Sequence, residues 1–185
     1  MQTAVQHTMN GVNVDALMGT VHAVKEQPEL GKSKFRVTNR WVTGGLNRTS
    51  IQGFYSAGKE DTSREKPFTY NADEPPVLAG ENRGANPVEF ALTALASCLT
   101  TSMVYHAASR GIKIDEVEAK VEGDIDLGGF MGVNPNVPKG YKNIRVKYNV
   151  RSDASAEKLK ELAQFSPVYH TITNPVPVTV EVAKK

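Results

Sequence analysis

The sequence predicts a mixed fold of helices and antiparallel strands, and three observations carry this prediction. The first half is mostly β, because Phe35–Trp41 alternates apolar and polar residues and a second β-rich run follows at Thr49–Tyr55. A long apolar helix is predicted over Asn86–Arg110. Two strictly alternating segments, Glu116–Leu127 and Asn143–Arg151, then predict a pair of long strands.

The first thirty residues are predicted to form a helical extension to one domain spanning residues 1–185. Leu17, Val21 and Val24 recur at spacings of four and three, which is the stripe of a short amphipathic helix. Pro28 and Gly31 end this pattern. A length of 185 residues is within the size of a single domain and long enough for a real core.

The rest of the first half is predicted to contain a turn and a further strand. Gly44-Gly45 separates the two β-rich runs, so these runs are predicted to form a hairpin. Phe68–Tyr70 is predicted as a third strand that ends before Pro75.

The central helix is apolar on nearly every side from Phe90 to Leu99. Pro87 lies in the predicted first turn, where proline is tolerated, and Gly111 supplies the stop. Since a helix that is apolar all round is normally enclosed by protein, we expect this one to be buried.

The two alternating strands carry opposite charges on their outer faces. Acidic residues dominate one face of Glu116–Leu127, whereas Arg145, Lys147 and Arg151 lie on the outer face of the other strand. Opposite charges across antiparallel neighbours favour pairing, so the two strands are predicted to pair. A solvated, salt-bridged sheet face is favoured here over an acidic metal site.

The last third of the chain contains a long loop and three further elements. Residues 128–140 are too many for a tight turn, and loops of this length are often functional or interfacial. Asp153 is predicted to cap one helix, and Ser166-Pro167 to begin another. Val176–Val182 is predicted as the last strand.

Composition restricts the possible functions. Lys plus Arg number 22 against 20 Asp plus Glu, and this balance makes nucleic acid an unexpected partner. The single cysteine, Cys98, excludes an intrachain disulfide and a thiolate cage for zinc. The chain has neither a basic, apolar leader at its start nor an unbroken apolar run of about 18 residues. We therefore expect a cytoplasmic protein without a membrane span.

Cys98 has two possible roles on the helix. Thr101, Ser102 and Tyr105 fall within about 60° of its direction, which forms a stripe with polar edges. A single cysteine on an apolar helix is most often a small core residue. A reactive thiol in mid-helix would need a cation or donor from another segment, such as His170 or an arginine.

A serine nucleophile and a histidine metal site have less support in the sequence than a reactive Cys98. Ser166 is a possible nucleophile, but no Gly-x-Ser-x-Gly motif surrounds it and a helix-capping role already explains it. The four histidines never take a two-ligand helical spacing, so no metal site is predicted.

Several motifs together resemble the OsmC/Ohr family of osmotically inducible and organic-hydroperoxide-resistance proteins. They are the Asn86-Pro-Val-Glu-Phe lead into the helix, Cys98 eleven residues after the proline, Gly123-Asp-Ile-Asp-Leu and Ser166-Pro-Val. The resemblance implies an α+β fold with strongly curved antiparallel sheets around buried central helices. It also implies an intertwined homodimer with active sites at the interface.

The resemblance implies peroxidase chemistry with only part of the family's machinery. Cys98 matches the reactive cysteine, but the resolving cysteine corresponds to Ser166, and a hydroxyl cannot form a disulfide. The family's glutamate falls at Val88, with Glu89 one residue late. Its arginine falls at Leu46, which leaves Arg40 or Arg48 as substitutes.

Two hypotheses follow. In the first, Cys98 reduces a small organic hydroperoxide or another electrophile, and an external thiol resolves the sulfenic acid without cofactor or metal. Ser166, His170 and Arg48 would assist the sulfur, and Tyr105, Phe130 and Met131 would bind the substrate. In the second, the homodimer binds an apolar small molecule and Cys98 is structural. Hydrolysis by Ser166 is a third, weaker class.

Overall fold

A computed structural model of the chain describes residues 7–184, and it divides them into two compact units. Asn13–Ala91, together with residues 7–8, forms the first unit. Met9–Val12 and the chain from Leu92 onward form the second unit.

The first unit is mostly β, as the sequence predicts. Its elements, and the short strands before them, are β1 (Thr8–Met9), β2 (Val12–Asn13), α1 (Val14–Glu26), β3 (Thr38–Thr43), β4 (Leu46–Ile51), β5 (Phe54–Ser56), β6 (Lys59–Asp61) and β7 (Phe68–Ala72). The order β3-β4-β7 forms one antiparallel sheet, and β5 pairs with β6. Asn13 caps α1 by accepting the Ala16 N–H at 2.9 Å, so the predicted helix is present.

The three-stranded sheet has two different faces. Arg48 lies opposite Arg40 on β3 and Asn71 on β7, so these polar side chains share one face. Thr49 lies opposite Tyr70 on the other face, and the Tyr70 ring contacts Phe90 edge-on at 6.2 Å between centroids. The first turn of the central helix therefore packs on the face that Arg48 does not occupy.

A buried carboxylate organises the segment between β7 and the central helix. Asp73 is 1% exposed, and it accepts backbone N–H groups from Glu74 at 2.9 Å, Arg83 at 3.1 Å and Glu81 at 3.3 Å. These hydrogen bonds, led by the one from the Arg83 backbone, hold the pKa of Asp73 below its ordinary value. A Cβ at Gly80 would overlap the Glu74 carbonyl, so this loop requires glycine there.

The central helix, α2 (Pro87–Ala108), lies where the sequence predicts it, but its burial differs from the expectation. Its buried residues are Leu95, Leu99, Met103, Ala107 and Ala108, which form one stripe. The opposite side, including Ala94, Ser97, Thr101 and Tyr105, is exposed. The expectation of burial all round is therefore wrong for one chain, because the sheets and helices of this chain cover only one face.

By length and composition alone, α2 would also be long and apolar enough to cross a membrane. This is a weak indication, because the core helix of a soluble protein passes the same test.

The second unit contains β8 (Ile114–Asp124), α3 (Leu127–Phe130), β9 (Asn143–Ser152), α4 (Ala156–Ala163) and α5 (Pro167–Thr173). β8 and β9 pair antiparallel, with Glu122 opposite Arg145 and Val121 opposite Val146, which confirms the predicted pairing. Ser155 rather than Asp153 caps α4, since Ser155 Oγ accepts the Lys158 N–H at 3.2 Å. Asp153 lies two residues too early for this bond.

The core of this unit lies between α2 and α4. Leu95, Leu99 and Met103 pack with Leu159 and Leu162, and Val121, Ile144 and Val150 of the hairpin lie against this cluster. Burying such side chains contributes roughly 1.5–3 kcal/mol each, so this contact is the main stabilising element of the unit.

Met9–Val12, which precede α1, also belong to this unit. The Asn10 amide donates to the Ile112 carbonyl at 2.9 Å, and its oxygen accepts the Ile114 N–H at 2.9 Å. Asn10 thereby fixes Met9–Val12 at the start of β8.

The predicted last strand is absent. Val176–Val182 pairs with no strand among residues 7–184, and Val176, Val178, Val180 and Val182 are 55%, 81%, 79% and 86% exposed. A strand needs a hydrogen-bonded neighbour, and the described part of the chain provides none for this segment.

Candidate functional site

Cys98 lies at the edge between the buried and exposed sides of α2. The cysteine is free and half-buried, as is Ser102 one turn later, whereas Thr101 and Tyr105 on the same side are exposed. The stripe that the sequence predicts is therefore present. The thiol is not enclosed by hydrocarbon in this chain.

Tyr148 of β9 approaches the same part of α2, although the sequence indicates it only as an inward strand residue. Its hydroxyl lies 3.1 Å from Thr100 Oγ1 and donates to the Ala96 carbonyl at 3.4 Å. Burial raises the pKa of Tyr148; the hydrogen bond with Thr100 opposes this shift, and negative charge at Cys98 raises the pKa further. The neutral form of the phenol is therefore favoured.

Ser166 takes the helix-capping role. The residue is 0% exposed, and its Oγ accepts the Tyr169 N–H at 3.1 Å at the start of α5. His170 is exposed on the same helix, with its ring edge-on to Tyr169. Among residues 7–184, no hydrogen bond joins Cys98 to Ser166 or His170, so their catalytic assignment stays a prediction.

Arg48 is exposed on β4, in the first unit, and its Nε donates to Asn71 Oδ1 at 3.0 Å. Its role beside Cys98 also stays a prediction. Glu89, the other candidate for tuning the thiol, accepts the Asn86 N–H at 2.8 Å. That bond is one half of a capping box at the start of α2.

The predicted substrate-binding residues lie on two elements. Tyr105 is on the exposed side of α2. Phe130 ends α3, Met131 follows it, and the two are 58% and 55% exposed. Their part in binding a substrate stays a prediction.

A cavity of about 590 Å³ opens beside the core of the second unit. Leu95, Leu99 and Met103 form one wall. Hairpin residues such as Val146 and Tyr148 form a second wall, and α4 and α5 form the third. Cys98, Phe130 and Met131 do not line it. Sequence patterns could not find this cavity, because it forms only where four elements distant in the sequence come together.

Known proteins of similar fold and sequence were then compared with this chain. The family model described as OsmC-like protein matches residues 80–181, which is more than half of the chain. A search of curated protein sequences gave no significant match.

Solved structures with the same fold include three bacterial examples. An OsmC-like protein from Mycoplasma pneumoniae is 20% identical, with a TM-score of 0.54 over 77% of this chain and 89% of its own. An OsmC-like protein of unknown function from Vibrio cholerae is 12% identical, with a TM-score of 0.54 over 76% and 94%. An organic hydroperoxide resistance protein OsmC from Legionella pneumophila is 17% identical, with a TM-score of 0.50 over 76% and 90%.

At these identities the structural likeness establishes the fold alone, and it agrees with the α+β class expected from the sequence. The family match rests on the segment that contains α2, Cys98, the β8–β9 hairpin and Ser166. The chain is therefore a member of the OsmC-like protein family.

Proposed function

We propose that the protein reduces small organic hydroperoxides through Cys98, with an external thiol as reductant. The Cys98 thiolate attacks one peroxide oxygen; the O–O bond breaks, an S–O bond forms, and the leaving alkoxide takes a proton to become an alcohol. A thiol then attacks the sulfenic sulfur and releases water, leaving a mixed disulfide. A second thiol frees Cys98 and forms the oxidised disulfide of the reductant.

The observation that carries this proposal is the half-buried position of Cys98 on the polar edge of α2. A reactive thiol needs access to its substrate, and structural cysteines sealed in apolar surroundings are inert. Membership of the OsmC-like family supports the proposal, as does the name of the Legionella structure, an organic hydroperoxide resistance protein. Since this chain has one cysteine, the second sulfur has to come from another molecule.

The assisting residues in this proposal are Arg48, Ser166 and His170. Arg48 would supply positive charge near the thiolate. Ser166, at the start of α5, and His170, within α5, would assist the sulfur. Tyr105, Phe130 and Met131 would contact the apolar part of the substrate. The proposed location is the cytoplasm, where reducing thiols are abundant.

The test is oxidation of Cys98 by one equivalent of cumene hydroperoxide in the presence of dimedone. We expect one dimedone adduct on Cys98 by mass spectrometry and peroxide consumption with dithiothreitol, and we expect Cys98→Ser to lose both. Ser97→Ala, one residue away on the exposed side of α2, should retain both. If Cys98 remains a free thiol while glutathione is consumed under the same conditions, the proposal is wrong.

The two arginines of the three-stranded sheet provide a test variant and its matched control. Arg40 and Arg48 lie directly opposite each other on the same face. If Arg48 assists the thiolate, Arg48→Gln slows adduct formation and Arg40→Gln does not. Equal rates in both variants would remove Arg48 from the mechanism.

A second candidate function is favoured by the serine at position 166, because intramolecular resolution is impossible without a second sulfur. In this case the protein binds an apolar small molecule, and Cys98 is a packing residue. Cys98→Ser would then leave its function unchanged.

We also propose that the protein is a homodimer. Val176–Val182 has the period of a strand and four exposed valines, but no strand partner among residues 7–184 of its own chain. The exposed side of α2 adds further uncovered surface in the second unit. Exposed apolar side chains of this kind are typical of a surface that another chain covers.

A further inference from the structure

The cavity of the second unit has a size and lining that suit a small organic ligand. Its volume of about 590 Å³ is within the range of small-molecule sites in proteins. Leu95, Leu99 and Met103 of α2 and Val146 of β9 supply an apolar interior. A ligand there would gain free energy mainly by removing its carbon atoms from water.

The polar groups of the cavity are few. Lys160, Gln164 and Thr173 provide an ammonium, an amide and a hydroxyl from the bordering helices, and Tyr148 and Tyr169 add phenol hydroxyls. Lys160 is exposed and is the only charged residue among the described residues that line the cavity. Its neighbour Lys158 is already paired with Glu161 at 2.9 Å and does not line the cavity.

One positive charge beside an apolar interior is complementary to a molecule with one negative charge and an apolar body. A polar or multiply charged ligand would leave its groups without partners in the interior, at a cost in free energy. The hydroxyl of Tyr148, which also lines the cavity, is already engaged with Thr100 and the Ala96 carbonyl. Lys160 therefore provides the one charged partner in the described lining, for a single charged group on the ligand.

We propose that this cavity binds an apolar monocarboxylate, with its carboxylate at Lys160 and its chain against Leu95, Leu99 and Met103. Cys98 does not line the cavity, although its neighbour Leu99 and Tyr148 both do. The binding proposed here does not require the thiol to react, so it does not depend on the proposed peroxidase activity. Its occupant is a ligand that the protein carries or senses, and it need not be oxidised.

Calorimetric titration of the full chain with decanoate at pH 7.5 tests the site. We expect one molecule per chain with a Kd of about 0.1 mM, the affinity usual for a ligand of this size. Decanol, which has no charge, should bind about threefold to fivefold more weakly, the effect of a half-exposed ion pair. Lys160→Gln should lower the affinity for decanoate to that for decanol, and Lys158→Gln should not change it.

A second pair of variants blocks the cavity without relying on charge. Val146→Trp places an indole in the cavity, whereas Lys147→Trp places it on the opposite face of β9. We expect the first variant to lose decanoate binding and the second to keep it, with unchanged circular dichroism in both. Cys98→Ser should bind decanoate normally whether or not it has lost peroxidase activity.

Three results would overturn the proposal. One is equal weakening by Lys160→Gln and Lys158→Gln, which would mean only diffuse attraction to a positive helix. Another is full affinity in Val146→Trp. The third is a stable dimer that gives no heat with decanoate, because residues of the second copy would then fill the cavity.

Discussion

His106 has an environment that couples its protonation to the packing of the segment between α4 and α5. Its ring is half-buried near the end of α2 and stacks on Phe165, with 4.1 Å between ring centroids. Arg110 Nη1 lies 3.0 Å from His106 Nδ1, and a guanidinium can only donate. Nδ1 is therefore the acceptor, and the imidazole is neutral with its proton on Nε2.

This arrangement predicts a loss of stability in mild acid. Burial, and then the charge of Arg110, lowers the pKa of His106 below its usual 6.5. The unfolded chain therefore binds this proton at a higher pH than the folded chain does. The free energy of unfolding should fall as pH drops from about 6.5 through the folded pKa, and it should not depend on His106 above that window.

The measurement compares thermal unfolding of the wild type and His106→Phe at pH 7.5 and pH 5.0. The variant keeps an aromatic ring against Phe165 but cannot titrate, so its Tm should fall less between the two pH values. His22→Phe, at an exposed site on α1, is the control and should behave like the wild type. A Tm difference in His106→Phe equal to that of the wild type would contradict the prediction.

The roles of individual residues could be predicted from the sequence where their hydrogen bonds are local. Asn13 and Ser166 cap helices by bonding to a residue three positions later, and such a bond follows from residue type and position. The prediction that Asp153 caps α4 was wrong by two positions, because Ser155 is an equally good cap and lies next to the helix. The contact between Thr100 and Tyr148 joins residues 48 positions apart, and no local rule contains it.

At the scale of elements, the start of α2 depends on a capping box. Asn86 Oδ1 accepts the Val88 N–H at 2.9 Å, and the Asn86 N–H donates to Glu89 Oε2 at 2.8 Å. The Asn86 amide also donates to Glu74, at the start of the segment that Asp73 organises. The motif that resembles the family's active-site lead is therefore also the structural entry to the helix.

We expect Asn86→Ala to cost about 1–2 kcal/mol in the free energy of unfolding, the usual effect of losing an N-cap. Glu89→Gln should cost much less, because an amide oxygen still accepts the Asn86 N–H. Urea denaturation measures both, with Asn136→Ala at an exposed position between α3 and β9 as control.

The same variants separate the structural role of Glu89 from a catalytic one. If Glu89 serves the helix cap, Glu89→Gln leaves the rate of dimedone trapping at Cys98 unchanged. A slower rate at unchanged stability would instead assign Glu89 to the thiol.

The strands show both what periodicity predicts and what it does not. β8 and β9 were predictable as a pair, because their apolar faces alternate and their outer faces have opposite charge. Val176–Val182 has an equally clear period but forms no strand. A period of two indicates which side of a segment is apolar, but it does not say which strand lies beside it.

For the whole molecule, the surface that one chain leaves uncovered is the central fact. The side of α2 that carries Thr101 and Tyr105 is exposed, and so are the four valines that alternate from Val176 to Val182. The sequence predicted full burial of α2 because its composition is apolar all round. Both differences would follow from the homodimer proposed above, in which a second chain covers these surfaces.

This explanation predicts a dimer whose stability depends on one face of the C-terminal segment. Light scattering after size exclusion should give twice the mass of one chain for the wild type. Val178 and Val180 are 81% and 79% exposed in the single chain, so the double variant Val178→Lys, Val180→Lys costs the isolated chain little. It should nevertheless dissociate the dimer, because lysine is disfavoured at an apolar interface. Thr179→Lys, which lies on the other side of an alternating segment, should remain dimeric. A wild type that is monomeric at micromolar concentration, or a double variant that stays dimeric, would show that this segment does not join two chains.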